Sequence, residues 1–285
     1  MSLNTILKQA QAGKYAIGQF NASNLETIRA IAQAAQKLNS PVIIGTSEGE
    51  GGFIGFRQAV KLIEAWKEET GIPVFLNADH FKSLDIIKKA VKAGYNSIHF
   101  DGSKLSFEEN IKQTNEVVKY VKSVNSDMSV EGELGYLRGV SSIHKEEVKI
   151  TKEDFTKPEE AEIFVKETGV DRLAVVIGNV HGISASGINP GLNLEKLKEI
   201  QQAVPEIFLV LHGGSGTPQE DLKNSIENGI VKVNINTELR VAYAKSLINS
   251  LKENPEEITP YKIFPFVIEA VQGVVEEKIK LFGSH

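Results

Sequence analysis

Three of the six histidines, His80, His181 and His212, each close a short apolar run: Val74-Phe-Leu-Asn-Ala-Asp-His80, Leu173-Ala-Val-Val-Ile-Gly-Asn-Val-His181 and Phe208-Leu-Val-Leu-His212. In parallel α/β proteins the carboxyl ends of the strands form the floor of the active site. Three imidazoles converging there, in a chain with no cysteine, predict a three-ligand metal centre with an open position. That opening lets a bound metal act as a Lewis acid. Asp79, beside His80, reads as a proton donor or acceptor at the metal, with the orienting of an imidazole as the alternative. His99 lies inside Ile98-His-Phe100 and is expected to be packed; His144 and His285 fall in polar or terminal sequence and are expected to be solvated.

A second constellation runs on from the third histidine. His212-Gly-Gly-Ser-Gly-Thr-Pro218 leads from a strand into a helix start, where the amides around Gly213, Gly214 and Ser215 can cradle a phosphate. Asn236-Thr237 closes the last strand, and the loops after strands seven and eight are the usual phosphate site of an α/β barrel. Further polar residues, Asn21, Ser47, Asp101, Glu133 and Asn234, gather at the same predicted strand ends. A metal ligand touching a phosphate cradle suggests a small phosphorylated substrate whose carbonyl or enediolate meets the metal.

Positioning these groups requires many parallel strands. Eight apolar runs qualify: 15–21, 41–47, 74–80, 97–103, 129–135, 172–178, 208–214 and 230–236. Capping boxes are expected at Ser23/Glu26, Ser106/Glu109, Thr156/Glu159 and Thr217/Glu220, with Gly94, Gly169 and Gly229 as helix stops. Eightfold strand–helix alternation predicts an α/β fold of the (β/α)8 TIM-barrel type, as a single domain over 1–285. A doubly wound sheet would usually carry a glycine-rich first turn, where this chain has Asn21-Ala-Ser-Asn24. The polar stretch 136–155 is expected to form a catalytic loop, and a final helix is expected over about 265–282.

A net charge of −5 gives no reason to expect nucleic acid or an anionic membrane. No apolar run reaches membrane-spanning length, and no basic stretch with an apolar signal segment opens the chain. A soluble cytoplasmic protein is expected.

The residues together resemble the class II, zinc-dependent fructose-bisphosphate/tagatose-bisphosphate aldolases, nearly end to end. The resemblance rests on Lys14-Tyr-Ala-Ile-Gly-Gln-Phe-Asn21, Ser47-Glu-Gly49, Asp79-His80, Phe100-Asp-Gly-Ser103 and Val130-Glu-Gly-Glu-Leu-Gly135. It is most specific in Thr168-Gly-Val-Asp-Arg-Leu-Ala174, Ile177-Gly-Asn-Val-His-Gly182, Leu211-His-Gly-Gly-Ser-Gly216, Lys232-Val-Asn-Ile-Asn-Thr237 and Glu277-Lys-Ile-Lys-Leu-Phe-Gly-Ser284. The resemblance implies that His80, His181 and His212 hold Zn2+ and that Asp101 and Glu133 match positions taking an alternative or additional cation. By the same likeness Asp79 exchanges the proton of the C4 hydroxyl. Gly182, Gly213, Ser215 and Thr237 match the grip on dihydroxyacetone phosphate, with Asn234 nearby and Ser47 beside the substrate. A glutamate of the mobile loop, Glu146 or Glu147, would move the proton at the dihydroxyacetone phosphate carbon. The implied reaction is reversible cleavage of a ketose 1,6-bisphosphate, fructose or tagatose, with zinc polarising the C2 carbonyl and stabilising the enediolate. A homodimer or larger homo-oligomer is implied as well.

The chain departs from that pattern at several points. Gly182 is followed by Ile-Ser-Ala-Ser186, so the family's phosphate-site lysine is missing, and Lys82 or Lys104 would have to compensate. Asn236 stands where an aspartate is usual. These changes bear on the substrate, and an aldolase for a singly phosphorylated or non-phosphorylated acceptor stays open. A binding protein on the same scaffold would not need Asp79. A hydrolase of this fold would usually carry a His-x-His pair on strand one, where this chain has Gly18-Gln-Phe-Asn21.

Overall fold

The computed structural model describes residues 2–285. Ten strands follow in chain order: β1 (Ile17–Asn21), β2 (Val42–Thr46), β3 (Val74–Phe81), β4 (Ser97–Phe100), β5 (Ser129–Leu134), β6 (Gly139–Ile143), β7 (Arg172–Val175), β8 (His181–Ile183), β9 (Phe208–Leu211) and β10 (Ile230–Ile235). All but β6 and β8 close a barrel of parallel strands, with β10 returning to β1. Helices α1 (Leu3–Gly13), α2 (Leu25–Lys37), α3 (Glu48–Ile54), α4 (Phe56–Thr70), α5 (Leu84–Ala93), α6 (Phe107–Val124), α7 (Pro158–Thr168), α8 (Leu194–Ala203), α9 (Gln219–Glu227), α10 (Thr237–Glu253) and α11 (Pro260–Phe282) complete it. This is a (β/α)8 TIM barrel. No helix among the described residues is long and apolar enough to cross a membrane.

Strand alternation sorts the barrel residues into two sets. Phe20, Ile44, Leu76, Ile98, Val130, Leu173, Leu209 and Val233 belong to the large core shared with the helices. The other set changes character with height, as β3 illustrates. Phe75 joins Ile17, Ile43 and Val231 against Leu3, Ile6, Leu7 and Ala10 of α1, which plugs the amino-terminal mouth. Two residues on, Asn77 hydrogen-bonds Gln19 at 2.9 Å. Two further, Asp79 reaches the open end. TIM-barrel interiors are usually packed with branched apolar residues; here the middle layer is polar, and it supports the site above it.

Several local expectations change. Of the four expected capping boxes, the Ser106 hydroxyl accepts from the Glu109 amide at 3.3 Å. Asn24 rather than Ser23 caps α2. Thr156 and Thr217 spend their hydroxyls on the Leu134 and Gly213 carbonyls, leaving α7 and α9 to start at prolines. Complete boxes sit instead at Ser47 and Glu50, opening α3, and at Thr151 and Asp154, opening a short 3-10 turn. The sixth barrel strand stops at Val175, and His181 stands on β8, which pairs with β6 from within the 136–155 stretch. The last helix starts at Pro260, because Pro265, early in the helix, forfeits only the bond to the Tyr261 carbonyl.

Candidate active site

Asp79 and His80 are sequence neighbours on a strand, so regular alternation would send them to opposite faces. Between Ala78 and Phe81 the β3–β4 register slips, and His80 adopts a φ of +55°. That left-handed value costs a non-glycine residue roughly 1–2 kcal/mol, and such conformations cluster at functional sites. The slip turns both side chains into the same cleft.

His80 Nε2 and His212 Nδ1 face each other at 2.9 Å. Each ring is fixed from behind. His80 Nδ1 meets Asp101 Oδ2 at 3.0 Å and Glu133 Oε2 at 3.5 Å. His212 Nε2 meets Glu131 Oε1 at 2.8 Å. Carboxylates only accept, so the ring protons are assigned to those rear nitrogens. When both rings are neutral the two facing nitrogens turn lone pairs toward one cleft, where a metal ion beside them could be bound. Without one, His80, which burial pushes down but Asp79 pulls up in pKa, can donate its Nε2–H to His212 Nδ1. Neutral imidazoles backed by carboxylates are the usual metal-ligand arrangement, so this donor set fits a zinc ion. His181 lines the same cleft, with its ring centroid 4.9 Å from His80 and 6.4 Å from His212. Burial, reinforced by the neighbouring His80 and His212, holds its pKa well below the usual range, hence neutral. Its nitrogens lie outside the tight donor group of Asp79, His80, His99 and His212. His99 is fully buried, and its Nδ1 accepts the His80 backbone N–H at 3.1 Å. With its Nε2 3.1 Å from Glu133 Oε2, His99 packs behind the site and orients its neighbours.

Asp79 is held by three amides: Gln19 and Asn21 at 2.9 Å and Asn234 at 3.3 Å. Burial favours its protonated form, but His80, His99 and His212 outweigh it and hold the carboxyl well below its ordinary value. Beneath lies a charged layer. Glu131 joins Lys232 at 2.8 Å and Arg172 at 2.9 Å, all fully buried. Burial pushes the Glu131 carboxyl up, and the two cations outweigh it, so it stays ionised. This layer meets the cleft through His212 and, by way of Asn77 and Gln19, through Asp79.

The cleft has a volume of about 220 Å³. Ser47, Asp79, His80, His181, Gly182, His212, Gly213, Ser215, Asn234, Asn236 and Thr237 line it. Gly182 and Gly213 have φ of +86° and +68°. The Gly213–Thr217 turn packs beside the amino end of α10, which favours an anion. Gly214 lies behind this surface, its N–H donating to the Asn234 carbonyl at 3.0 Å. Asp101 and Glu133 touch the far nitrogen of His80 rather than lining the cleft. Glu146 and Glu147 are exposed, and Glu147 borders a separate cleft with Val148, Ile188 and Pro190. Lys82 and Lys104 are exposed and do not line the site.

Two lining residues went unmarked in the sequence, Ser141 and Arg240, and Asn21, placed at a strand end, was given no role. Arg240 is one helical turn beyond Thr237 on α10, a spacing that could have revealed it. Its guanidinium donates to Glu50 Oε1 at 2.7 Å and to the Ser141 carbonyl at 3.0 Å. Glu50, buried, also accepts from Asn21 Nδ2 at 3.0 Å. Ser141, on β6, could not be placed by its sequence neighbourhood.

Comparison with known proteins gives the family and the fold. The family described as fructose-bisphosphate aldolase class-II matches residues 1–285. The solved structure of the YdjI aldolase from Escherichia coli K12 is 34% identical, with TM-score 0.82, over 100% of this chain and 97% of that one. A candidate fructose-1,6-biphosphate aldolase from Coccidioides immitis is 29% identical, with TM-score 0.83, over 99% and 96%. The fructose-bisphosphate aldolase of Campylobacter jejuni, 24% identical with TM-score 0.81 over 99% and 94%, shares the fold.

Proposed function

Because the chain belongs to the class II fructose-bisphosphate aldolase family, we propose that it reversibly cleaves the C3–C4 bond of a phosphorylated ketose. The products are dihydroxyacetone phosphate and an aldehyde. The observation that carries the proposal is the facing pair of imidazole nitrogens, 2.9 Å apart, beside an amide-held Asp79. His80, His181 and His212 would hold a zinc ion, which supplies electrophilic stabilisation of the charge developing at the C2 carbonyl. Asp101 and Glu133 would orient His80 or take an additional cation.

Asp79, kept ionised, takes the C4 hydroxyl proton during cleavage and returns it to the aldehyde oxygen in condensation. Gln19, Asn21 and Asn234 fix both of its oxygens, so it meets the hydroxyl in one geometry. Gly182, Gly213, Ser215 and Thr237 hold the phosphate, with Gly214 supporting the turn from behind. Ser47, Asn234 and Asn236 contact the sugar. Glu146 or Glu147, brought in by movement of the 136–155 stretch, exchanges the proton at C3.

Fructose 1,6-bisphosphate is the leading substrate, with its C4 epimer tagatose 1,6-bisphosphate as the alternative. One contact favours a second reading. Arg240, the sole lysine or arginine lining the cleft among the described residues, is engaged by the Glu50 carboxylate. A second phosphate would have to compete for it, so a ketose carrying phosphate only at C1 also fits. A coupled cleavage assay on fructose 1,6-bisphosphate, tagatose 1,6-bisphosphate and fructose 1-phosphate tests both. Chelator-sensitive release of dihydroxyacetone phosphate, restored by zinc, is the expected result, and the fastest substrate selects between the readings. No release from any of the three by folded, zinc-loaded protein would overturn the proposal. The same proposal includes a cytoplasmic homodimer or larger homo-oligomer acting on small molecules alone.

A further inference from the structure

The amides of the Gly213–Thr217 turn fall into two sets. Gly214 N–H donates to the Asn234 carbonyl at 3.0 Å, Thr217 N–H to the Gly214 carbonyl at 3.3 Å, and Gly216 N–H to Glu238 Oε1 at 2.9 Å. Those of Gly213 and Ser215 meet no acceptor among the described residues. The free pair is aimed by the bonds of the other three. Asn189, buried, adds a tie on the opposite side, its side-chain amide donating to the Gly182 and Ser215 carbonyls at 2.8 Å each.

Glu238 is the odd member of this set. It is the second residue of α10, and its own N–H donates to Ser215 Oγ at 3.3 Å. A carboxylate thus sits against the turn and helix end proposed to receive a phosphate, where its charge would repel that anion. The opposing charge comes from the far end of the chain. Lys278 of α11 is only 4% exposed, yet its Nζ lies 2.8 Å from Glu238 Oε2. Its other carboxylate neighbour is Glu277 Oε1 at 3.7 Å, on a half-exposed side chain. Packing alone would be served better by an apolar side chain, because a buried ammonium is costly unless paired.

We propose that Lys278 is a positioning residue for the phosphate end of the substrate, acting through Glu238. Glu238 holds the Gly216 amide and so aims the Gly213 and Ser215 amides, while Lys278 cancels the charge that Glu238 would otherwise present to the phosphate. The inference rests on the proposed function in taking this turn as the phosphate cradle. It does not depend on turnover, since inorganic phosphate binding reads it directly.

The test compares Lys278→Met, Lys278→Arg and the double variant Lys278→Met/Glu238→Gln with wild type. Phosphate binding is measured by calorimetry, and KM, kcat and bound zinc are determined alongside. In Lys278→Met, phosphate affinity should fall roughly tenfold and KM rise to match. Its kcat should stay within about twofold and zinc content should be unchanged. Lys278→Arg should bind as wild type. The double variant should recover most of the affinity, since an uncharged glutamine still accepts the Gly216 N–H; a packing role for Lys278 would show no such rescue. Should Lys278→Met fail to fold, Lys278→Gln provides the same comparison. Unchanged phosphate affinity in a folded Lys278 variant, absence of rescue, or no phosphate binding by wild type would each overturn the inference. Normal phosphate binding without cleavage of any ketose phosphate would instead count against the proposed function and leave the relay standing.

Discussion

Two adjacent residues carry most of the proposed chemistry, and their separation of roles makes it testable. Asp79 reaches the cleft with three amides on its carboxylate, while His80 turns its Nε2 toward His212. Removing the carboxyl should abolish proton transfer but leave the imidazoles in place. Asp79→Ala is expected to lose carbon–carbon cleavage by roughly 10²–10⁴-fold while retaining zinc by metal analysis. Activity in a zinc-replete Asp79→Ala protein would show that another group moves the proton. Glu131 acts one step further away. Glu131→Gln would leave Lys232 and Arg172 buried without a carboxylate, a change expected to cost about 3–5 kcal/mol of stability. It would also take the negative charge from the rear bond that fixes His212, so zinc affinity should fall about tenfold. Urea unfolding and zinc titration read the two effects separately. Of these residues, Asp79, His80 and His212 were legible because apolar strand runs end on them. Glu131 was quoted only as part of a motif, since nothing in a linear run says that a buried glutamate faces two buried cations.

At the scale of elements, the short β6–β8 pair decides how the cleft is roofed. Along β6 every residue is exposed or half-buried, so its attachment depends on β8 rather than on a core of its own. Gly182 in β8 has a φ of +86°, and a Cβ there would collide with the Val140 and Ser142 carbonyls. Gly182→Ala should therefore lift β6 from the barrel mouth. The expected outcome is faster proteolysis within 136–155 and reduced cleavage activity, with the barrel melting temperature lowered by only a few degrees, about 2–4 °C per kcal/mol at this chain length. A Gly182→Ala protein with wild-type protease resistance would show that β6 is held by other contacts. The sequence marked this stretch as irregular and polar without revealing the strand, because β6 lacks the apolar alternation that strands with a buried face display.

Across the whole molecule, the barrel is asymmetric along its axis: apolar and plugged by α1 below, charged in the middle, open and lined by histidines and Asp79 above. Apolar side chains also emerge on the α10–α11 side, where Ile248, Leu251, Tyr261 and Phe266 are all exposed. Burying them against another copy would offset their hydration, so sedimentation should show a dimer or larger. Tyr261→Glu with Phe266→Glu should shift the protein toward monomer. A wild-type monomer at micromolar concentration would end the oligomer proposal.

By itself the sequence determined the barrel, because eight apolar runs separated by amphipathic segments have few other ways to bury both faces of each strand. It likewise placed His80 and His212 at strand ends, since position along a parallel strand translates directly into height in the barrel, whereas His181 lies beyond its barrel strand on β8. Only the tertiary structure decided how those groups face one another. The positive φ at His80, the Glu131 contact behind His212, the Glu50–Arg240 pair and the Lys278–Glu238 pair all join residues far apart in the chain or depend on a register slip between strands. Such contacts follow from the closure of the barrel, which brings β1 against β10 and α11 against α2 and α10, and no local periodicity encodes them.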